Sequence, residues 1–322
     1  MFLLLIGLVV VSYTTYKLYQ YCFPALWINP NNKHVLVSGC DTGFGNCLAL
    51  ELDKQNYNVF AGVYKDESVK TLTAKLSSKA TVFKLDITKQ QDIDAAVELV
   101  RQKTQYLYGL VNNAGIIKGG LIDWLPLSQY REVMEVNFFG HVAMTKAFLP
   151  LLLKQSDSRV VNLCSVAGFL LGPALSAYGA SKFALEAFSD CLRREMSVWG
   201  LKVSVIEPGI MRTPLIDGQK EAQEQLWAEL PDDVKERWGD SFLEHFISTQ
   251  IDSVFSKHAE NPMKVVQSIQ HALSSTRPCT RYRPGWQSRF FFLVSILPAW
   301  ICDILLKLKY RQGAESGSIR RQ

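Results

Sequence analysis

The sequence predicts an α/β fold built on a doubly wound parallel sheet, and three features carry that expectation. Short β-branched apolar runs alternate with segments of helical periodicity from residue 35 to residue 206, the pattern of parallel strands joined by right-handed crossovers. The first run, Val35-Leu-Val-Ser-Gly39, passes straight into a glycine-rich turn and then a helical pattern. Hydrophobic residues make up 48% of the 322, ample for one core in a chain that is long for a single domain.

Taken in order, the first half reads as strand 35–38, a helix from Gly45 to about 55, strand 59–63, a helix near 67–77, strand 82–85, a helix near 91–103 and strand 110–111. The second half reads as a long helix from about 128 to 154, strand 160–163, a helix from about 177 to 198 and strand 203–206. A charged helical stretch rich in Trp and Phe follows Pro208-Gly209, at about 219–258. The expected domains are a membrane anchor at 1–28, the sheet domain at 29–285, an apolar membrane-associating segment at 286–310 and a polar tail at 311–322.

Chemistry gathers around Tyr178-Gly-Ala-Ser-Lys182. Residues four apart share a helix face, and a nearby ammonium favours the phenolate of a tyrosine whose ordinary pKa is ~10. Arg159-Val-Val-Asn-Leu-Cys-Ser165 reads as a buried strand that delivers Ser165 to its carboxyl end, where ligands bind in open α/β sheets. At the other end of the chain, Gly39 and Gly43 allow the turn backbone angles that other residues resist, and Gly45 lets the helix start close to a phosphate. The spacing is G-x-x-x-G-x-G rather than G-x-G-x-x-G.

These motifs, with Asp86 in Leu-Asp-Ile-Thr, the Asn112-Asn113-Ala114-Gly115 turn, Asn137, and Pro208-Gly209 followed by Thr213, stand in an order that resembles the short-chain dehydrogenase/reductase family from about residue 33 to about residue 283. Gly-Cys-Asp-Thr-Gly-Phe-Gly, Glu186-Ala-Phe-Ser-Asp-Cys-Leu-Arg-Arg-Glu195 and Arg281-Tyr-Arg-Pro-Gly-Trp286 look most like its membrane-associated retinol and hydroxysteroid dehydrogenase branch, to which a mitochondrial 3-hydroxybutyrate dehydrogenase is also similar. The resemblance implies a Rossmann fold and catalysis by Tyr178, Lys182, Ser165 and Asn137, the last holding a water that links Lys182 to solvent. It implies a nicotinamide cofactor held by Gly39, Asp41, Thr42, Gly43, Phe44 and Gly45 in the first loop. Asp86 would meet the adenine, while Asn112, Asn113, Ala114 and Gly115 would lie on the ribose side. Tyr178, Lys182, Pro208, Gly209 and Thr213 would surround the nicotinamide. The stretch 214–258 would form a lid over the substrate, its Leu226, Trp227, Trp238, Phe242 and Phe246 either packing that lid onto the body or facing an apolar ligand.

NAD is favoured over NADP because Val63 stands where NADP-dependent relatives place an arginine, with Asp66 or Glu67 available to the ribose hydroxyls. Lys65 argues the other way, since a lysine there pairs with a phosphate. Seven cysteines and five histidines show neither C-x-x-C nor H-E-x-x-H spacing, so no metal is expected. A net charge of +5 without a dense basic run excludes nucleic acid. Residues 1–16 are almost wholly apolar and aromatic residues come next, which reads as an uncleaved anchor. A second apolar stretch at 290–308, interrupted by Pro298 and Asp303, reads as a membrane-surface helix or hairpin.

The substrate expected is therefore a lipophilic alcohol, retinol or a hydroxysteroid, met at the endoplasmic reticulum membrane rather than in mitochondria. A short hydroxy acid such as 3-hydroxybutyrate is the alternative and needs a cation, for which Lys118, Arg212 or His141 are candidates. A catalytically idle NAD(H)-binding sensor is the third reading, disfavoured because Tyr178 and Lys182 are both present. Relatives of this kind pair through the helices that correspond to 128–154 and 177–198, so a homodimer is the assembly to test.

Overall fold

A computed structural model describes residues 25–216, 218–251 and 257–310, with 7–8, 11–15, 18–19 and 22–23 ahead of them. Thirteen of the 28 residues of the anticipated anchor, and the whole tail from 311, lie outside the described residues.

Seven parallel strands make one sheet: β1 (His34–Val37), β2 (Asn58–Val63), β3 (Thr81–Lys84), β4 (Gly109–Asn112), β5 (Arg159–Leu163), β6 (Lys202–Ile206) and β7 (Arg281–Tyr282). Their order is β3-β2-β1-β4-β5-β6-β7. The chain thus reverses direction across the sheet between β1 and β4, and the loops leaving those two strands part to open a crevice. Both faces of the sheet are covered, as the unbroken apolar strands require. Val35, Val37, Val59, Ala61, Val63 and Val111 point to one core, and Leu36, Phe60, Leu110 and Val160 to the other, the period-two alternation of a pleated strand.

The first core is closed by α1 (Gly43–Lys54), through Leu48, Ala49 and Leu52, and by a helix absent from the sequence reading, residues 263–274. Between them in the chain come α2 (Asp66–Thr73), α3 (Gln90–Lys103), α4 (Leu127–Met134), α5 (His141–Leu152) and α6 (Ser176–Glu195). Ile93, Val97 and Val100 of α3, Met144, Phe148 and Leu152 of α5, and Leu192 of α6 fill the second core. The expected single helix over 128–154 is divided: residues Glu135–Gly140 form a π-helical turn between α4 and α5. Such turns are frequent at functional sites, and this one carries Asn137.

The stretch after Pro208-Gly209 forms α7 (Gln219–Ala228), α8 (Asp232–Trp238) and α9 (Asp240–Ile251), followed by α10 (Met263–Ser274). Trp124, 2% exposed, is the hub of a third apolar cluster. Its ring meets those of Trp227 and Phe246 at 5.2 Å, Trp238 at 5.8 Å and Phe242 at 6.0 Å, and the Trp238 indole donates to Asp123 at 2.8 Å. These aromatic side chains fasten the three helices to the body. Two further helices, α11 (Trp286–Ser295) and α12 (Ala299–Tyr310), are separated at Pro298 and end the described chain. Among the described residues no helix is long and apolar enough to cross a membrane.

His141 begins α5 fully buried, and its Nε2 donates to the Ala114 carbonyl at 2.7 Å while Nδ1 has no partner. It pins the turn that leaves β4. Burial, reinforced by the Lys182 charge, pushes its pKa down to about 3, so it is neutral and is not the cation that a carboxylate substrate needs.

Trp124→Ala removes the aromatic hub and costs ~3–5 kcal/mol; hydrogen exchange shows the loss of protection first in residues 219–251, ahead of the sheet. A histidine whose folded pKa is depressed stabilises above its unfolded value and loses that contribution as pH falls. Denaturant titrations of wild type therefore lose stability between pH 6.5 and about 3 through this group, and His141→Gln removes about 2 kcal/mol of the loss between pH 7 and pH 5.

Candidate active site

A cleft of ≈ 1220 Å³ lies at the carboxyl ends of the strands, along the crevice between β1 and β4. Its floor is set by bonds between the loops. The Asn113 side-chain amide donates to the Ser38 carbonyl at 2.8 Å and the Gly39 carbonyl at 3.0 Å, and the amides of Asn113 and Ala114 donate to Ser38 Oγ at 3.1 and 3.2 Å. Gly39 takes φ +71°, and a Cβ there would fall 2.8 Å from the Ala114 Cα. At Gly45 a Cβ would stand 2.3 Å from the Gly39 carbonyl and 2.5 Å from the Asn113 amide nitrogen, so only glycine lets α1 begin this close to the turn. Asn46 donates to the Cys40 carbonyl at 3.0 Å and keeps the loop folded back on its own helix.

The first turn of α1 contains no acidic residue, and its Thr42 cap makes no side-chain bond to the helix amides. Those amides face the cleft beside Gly39, Asp41, Thr42, Gly43 and Phe44, all of which line it. An uncapped helix amino terminus reached through a glycine turn fits a pyrophosphate. Asp86 lines the same half. Burial works against its charge, but bonds from Thr88 N (3.0 Å) and Thr88 Oγ1 (2.7 Å), with Lys89 at 3.5 Å, hold its pKa below the usual carboxylate range. Asn112, expected beside the ribose, is instead fully buried behind the cleft, donating to Thr145 Oγ1 at 3.0 Å and Asn162 Oδ1 at 2.8 Å.

At the other half β5 ends in Leu163-Cys164-Ser165 and α6 brings Tyr178 and Lys182 to the floor. Lys182 is 3% exposed, its Nζ donates to the Leu163 carbonyl at 2.9 Å, and it lies 5.6 Å from the centre of the Tyr178 ring. Burial pushes the Tyr178 phenol up to about 12, against a hydrogen bond from Ser165 that pulls it down; burial likewise lowers Lys182. In the protein alone, desolvation thus leads both shifts, and the Tyr178 phenol is raised rather than acidified as the sequence spacing suggests. Ser165 is held in place by a 3.2 Å bond from the Ala167 amide to its hydroxyl.

Asn137 is fully buried and spends its amide on Ile116, accepting from its N–H and donating to its carbonyl at 2.9 Å, and on Ser181 Oγ at 3.1 Å. Both donors are used, leaving one lone pair on Oδ1. The side chain stands against Gly115, whose notional Cβ would lie 3.3 Å from Asn137 Oδ1 and 3.9 Å from Lys182 Nζ. The far edge is Pro208, Gly209 and Thr213. The Pro208 carbonyl accepts from Val166 N at 3.0 Å, joining that edge to the loop after Ser165.

Apolar side chains, Ile116, Ile117, Leu170, Leu171, Leu215 and Phe291, form much of the cleft wall, with Glu132 and Glu135 also lining it. Sequence reading singled out none of the six apolar residues by number, although Leu215 falls in the expected lid and Phe291 in the apolar stretch at 290–308; the other four come from loops without a periodic signal. Of the expected lid, Pro214 and Leu215 line the cleft, whereas Leu226, Trp227, Trp238, Phe242 and Phe246 do not, and Leu226, Trp227 and Phe246 are buried in the cluster around Trp124. Among the described residues that line the cleft the only basic ones are Lys65 and Lys182. Lys118 pairs with Glu132 at 3.5 Å, and neither it nor Arg212 or His141 lines the cleft.

Residues 33–224 match the family described as short chain dehydrogenase. The chain is 37% identical over 291 residues to 17-beta-hydroxysteroid dehydrogenase type 6 of Bos taurus, covering 88% of this chain and 91% of that one. It is 36% identical over 296 residues to retinol dehydrogenase 5 of Mus musculus, covering 89% and 92%, and 39% identical over 266 residues to the mitochondrial D-beta-hydroxybutyrate dehydrogenase of Bos taurus, covering 79% and 77%. A solved short-chain dehydrogenase from Streptomyces avermitilis shares the fold, with a TM-score of 0.68 at 24% identity over 88% of this chain and 98% of that one. Sequence, sheet order and cleft agree, and the chain is an oxidoreductase that belongs to the short-chain dehydrogenase family.

Proposed function

We propose that this protein is an NAD-dependent dehydrogenase that interconverts a lipophilic secondary or allylic alcohol, of the hydroxysteroid or retinol class, with its carbonyl. One observation carries the substrate class: the cleft wall is largely apolar, its charged lining residues besides Lys65 and Lys182 are carboxylates, and Lys182 is committed to the Leu163 carbonyl, which leaves a carboxylate substrate no free cation beside Tyr178. The hydroxy-acid reading has support from a similar relative, but of its three candidate cations His141 is buried in the core, Lys118 is paired with Glu132, and neither Lys118 nor Arg212 lines the cleft. Presence of both Tyr178 and Lys182 in the cleft argues against an idle sensor.

Bound nicotinamide supplies the hydride acceptor for oxidation or the donor for reduction. The protein's part is orientation and proton movement. Tyr178 Oη exchanges a proton with the substrate oxygen, and the Ser165 hydroxyl donates to that oxygen as charge develops on it. With its phenol pushed up to about 12, Tyr178 is protonated at neutral pH and stands ready as the acid of carbonyl reduction. Oxidation needs the phenolate, so Lys182 must turn its charge toward Tyr178 in the working complex. Asn137 holds Gly115-Ile116 against Lys182 and, through its spare lone pair, is suited to anchor a water there.

The apolar terminal stretches support a membrane setting at the endoplasmic reticulum. Trp286, Phe290 and Leu293 are exposed on α11, the helix that also gives Phe291 to the cleft, and Ile296 and Trp300 are exposed just after it and on α12. Exposed Phe139 and Phe183, beside α5 and on α6, suit pairing of two copies.

The deciding assay offers all-trans-retinol, a 3α-hydroxysteroid and 3-hydroxybutyrate in parallel to detergent-solubilised protein with NAD. Turnover of a lipid alcohol is expected; turnover of 3-hydroxybutyrate alone overturns the substrate class. Tyr178→Phe is expected to lower kcat by at least ~10²–10⁴-fold while NADH binding persists, and unimpaired turnover removes Tyr178 from the mechanism. Because oxidation draws on the phenolate, its kcat/KM rises with pH across the alkaline side by up to about tenfold per unit, whereas reduction does not; identical profiles in both directions exclude Tyr178 as the titrating group.

A further inference from the structure

The second strand ends at Val63, and the chain turns there through Tyr64 and Lys65 into α2. In doubly wound nucleotide folds this corner receives the adenosine ribose, and an acidic residue on the corner itself normally meets the 2′-hydroxyl. Here the corner's own acids face elsewhere. Asp66 pairs with Lys84 at 2.8 Å and is largely exposed, and neither it nor Glu67 lines the cleft.

A carboxylate reaches the corner from the opposite side. Asp41, in the glycine-rich loop, accepts from the Tyr64 amide through Oδ2 at 2.8 Å and from the Lys65 amide through Oδ1 at 2.9 Å. Those two N–H groups are the backbone donors that an incoming phosphate at this corner would seek, and Asp41 already occupies both. It also leaves its negative charge there, facing the cleft. Asp86 adds a second carboxylate to this half, held ionised by Thr88 and Lys89. Lys65 is the only cation lining this half among the described residues, and its side chain is exposed.

We infer that Asp41, rather than any residue at the end of β2, makes this enzyme select NAD over NADP: it takes the two amides and supplies the charge that together exclude a 2′-phosphate while accepting a 2′-hydroxyl. The inference rests on the dinucleotide reading of the cleft. Each carboxylate oxygen keeps a lone pair beyond the one its amide uses, so a ribose hydroxyl can still donate to Asp41. A phosphate has no donor to offer, and it meets a like charge without the compensating amides. Lys65 then becomes useful only once that charge is gone.

The test is binding without substrate, read by the fluorescence of NADH and NADPH titrated into wild type, Asp41→Asn and Asp41→Ser. Wild type is expected to hold NADH on the order of 10-fold or more tighter than NADPH. Both variants are expected to narrow that gap by gaining NADPH affinity, the asparagine retaining an acceptor for one amide so that the loop stays formed. Adding Lys65→Ala to Asp41→Ser is expected to remove the gain. Equal wild-type affinity for the two cofactors, or equal loss of both in the variants, overturns the role of Asp41 and leaves the dehydrogenase reading intact. Failure of wild type to bind either one overturns both.

Discussion

The site depends on two loops being held together across the point where the strand order reverses. β1 and β4 are neighbours, and the segments leaving them must diverge, because one crossover covers one face and the next covers the other. Left to themselves the loops would open the sheet edge to water. Asn113 closes it by donating to two successive carbonyls of the first loop, and Ser38 returns the bond by accepting from two successive amides of the second. Four hydrogen bonds across buried chain ends cost little to satisfy and much to break. The absence of side chains at Gly39 and Gly45 allows the approach that makes them.

Burial then sets the electrostatics of everything placed on that floor. Lys182, Tyr178 and His141 are all shifted toward their neutral forms, and desolvation leads the causes for each. A pair that sequence spacing presents as ammonium and phenolate is, in the protein alone, a desolvated ammonium leaning on the Leu163 carbonyl beside a neutral phenol. The polar half of the cleft behaves in the opposite way: Asp86 keeps its charge because it collects bonds from Thr88 and lies near Lys89 at the rim. One cleft therefore holds a desolvated end and an ionic end, a difference set by burial at the one and by partners near solvent at the other.

Most of the sheet was legible in the sequence because its strands are apolar runs with β-branched residues and each is followed by a helical pattern. Strand ends shifted by only a residue or so, as for β1 at His34–Val37. Besides the helix at Met263–Ser274, three features were not legible. β7 is two residues long, too short for periodicity to register. The π-helical turn at Glu135–Gly140 keeps helical spacing on both sides, so nothing in the pattern marks the extra residue. The lid aromatics looked equally suited to ligand or packing, and Trp124, far away in the sequence, decided for packing. Among site residues, glycines, Asn113, Ser165, Tyr178 and Lys182 were readable because their chemistry is tied to local motifs. The contacts of Asp41 were not, because they reach Tyr64 and Lys65, more than twenty positions on.

The C-terminal arm lies beyond the region matched to the family, yet it is bound into the catalytic floor by charge. Glu207, directly before Pro208-Gly209, is 1% exposed, and burial, helped by Glu186, raises its pKa to about 7 against the pull of Arg283 and Arg281. Arg281 reaches Glu207 at 3.0 Å, Glu186 at 3.0 Å and Asp190 at 3.2 Å, so it ties β7 to α6 one and two turns beyond Lys182. Arg283 Nε sits 2.7 Å from the other oxygen of Glu207 without the alignment of a hydrogen bond, and its guanidinium lies 3.6 Å from the centre of the Phe292 ring. Ser288 of α11 donates to the Glu207 carbonyl, and a Cβ on Gly209 would fall 2.8 Å from Gln287. The cleft edge at Pro208-Gly209 and the cleft wall at Phe291 are consequently parts of one packed unit. A displacement of α11 that moves Phe291 must strain the Arg283 contact with Phe292, and through Glu207 it bears on the Pro208-Gly209 loop. A buried carboxylate between two arginines thus joins β7, α6 and α11 beside the cleft.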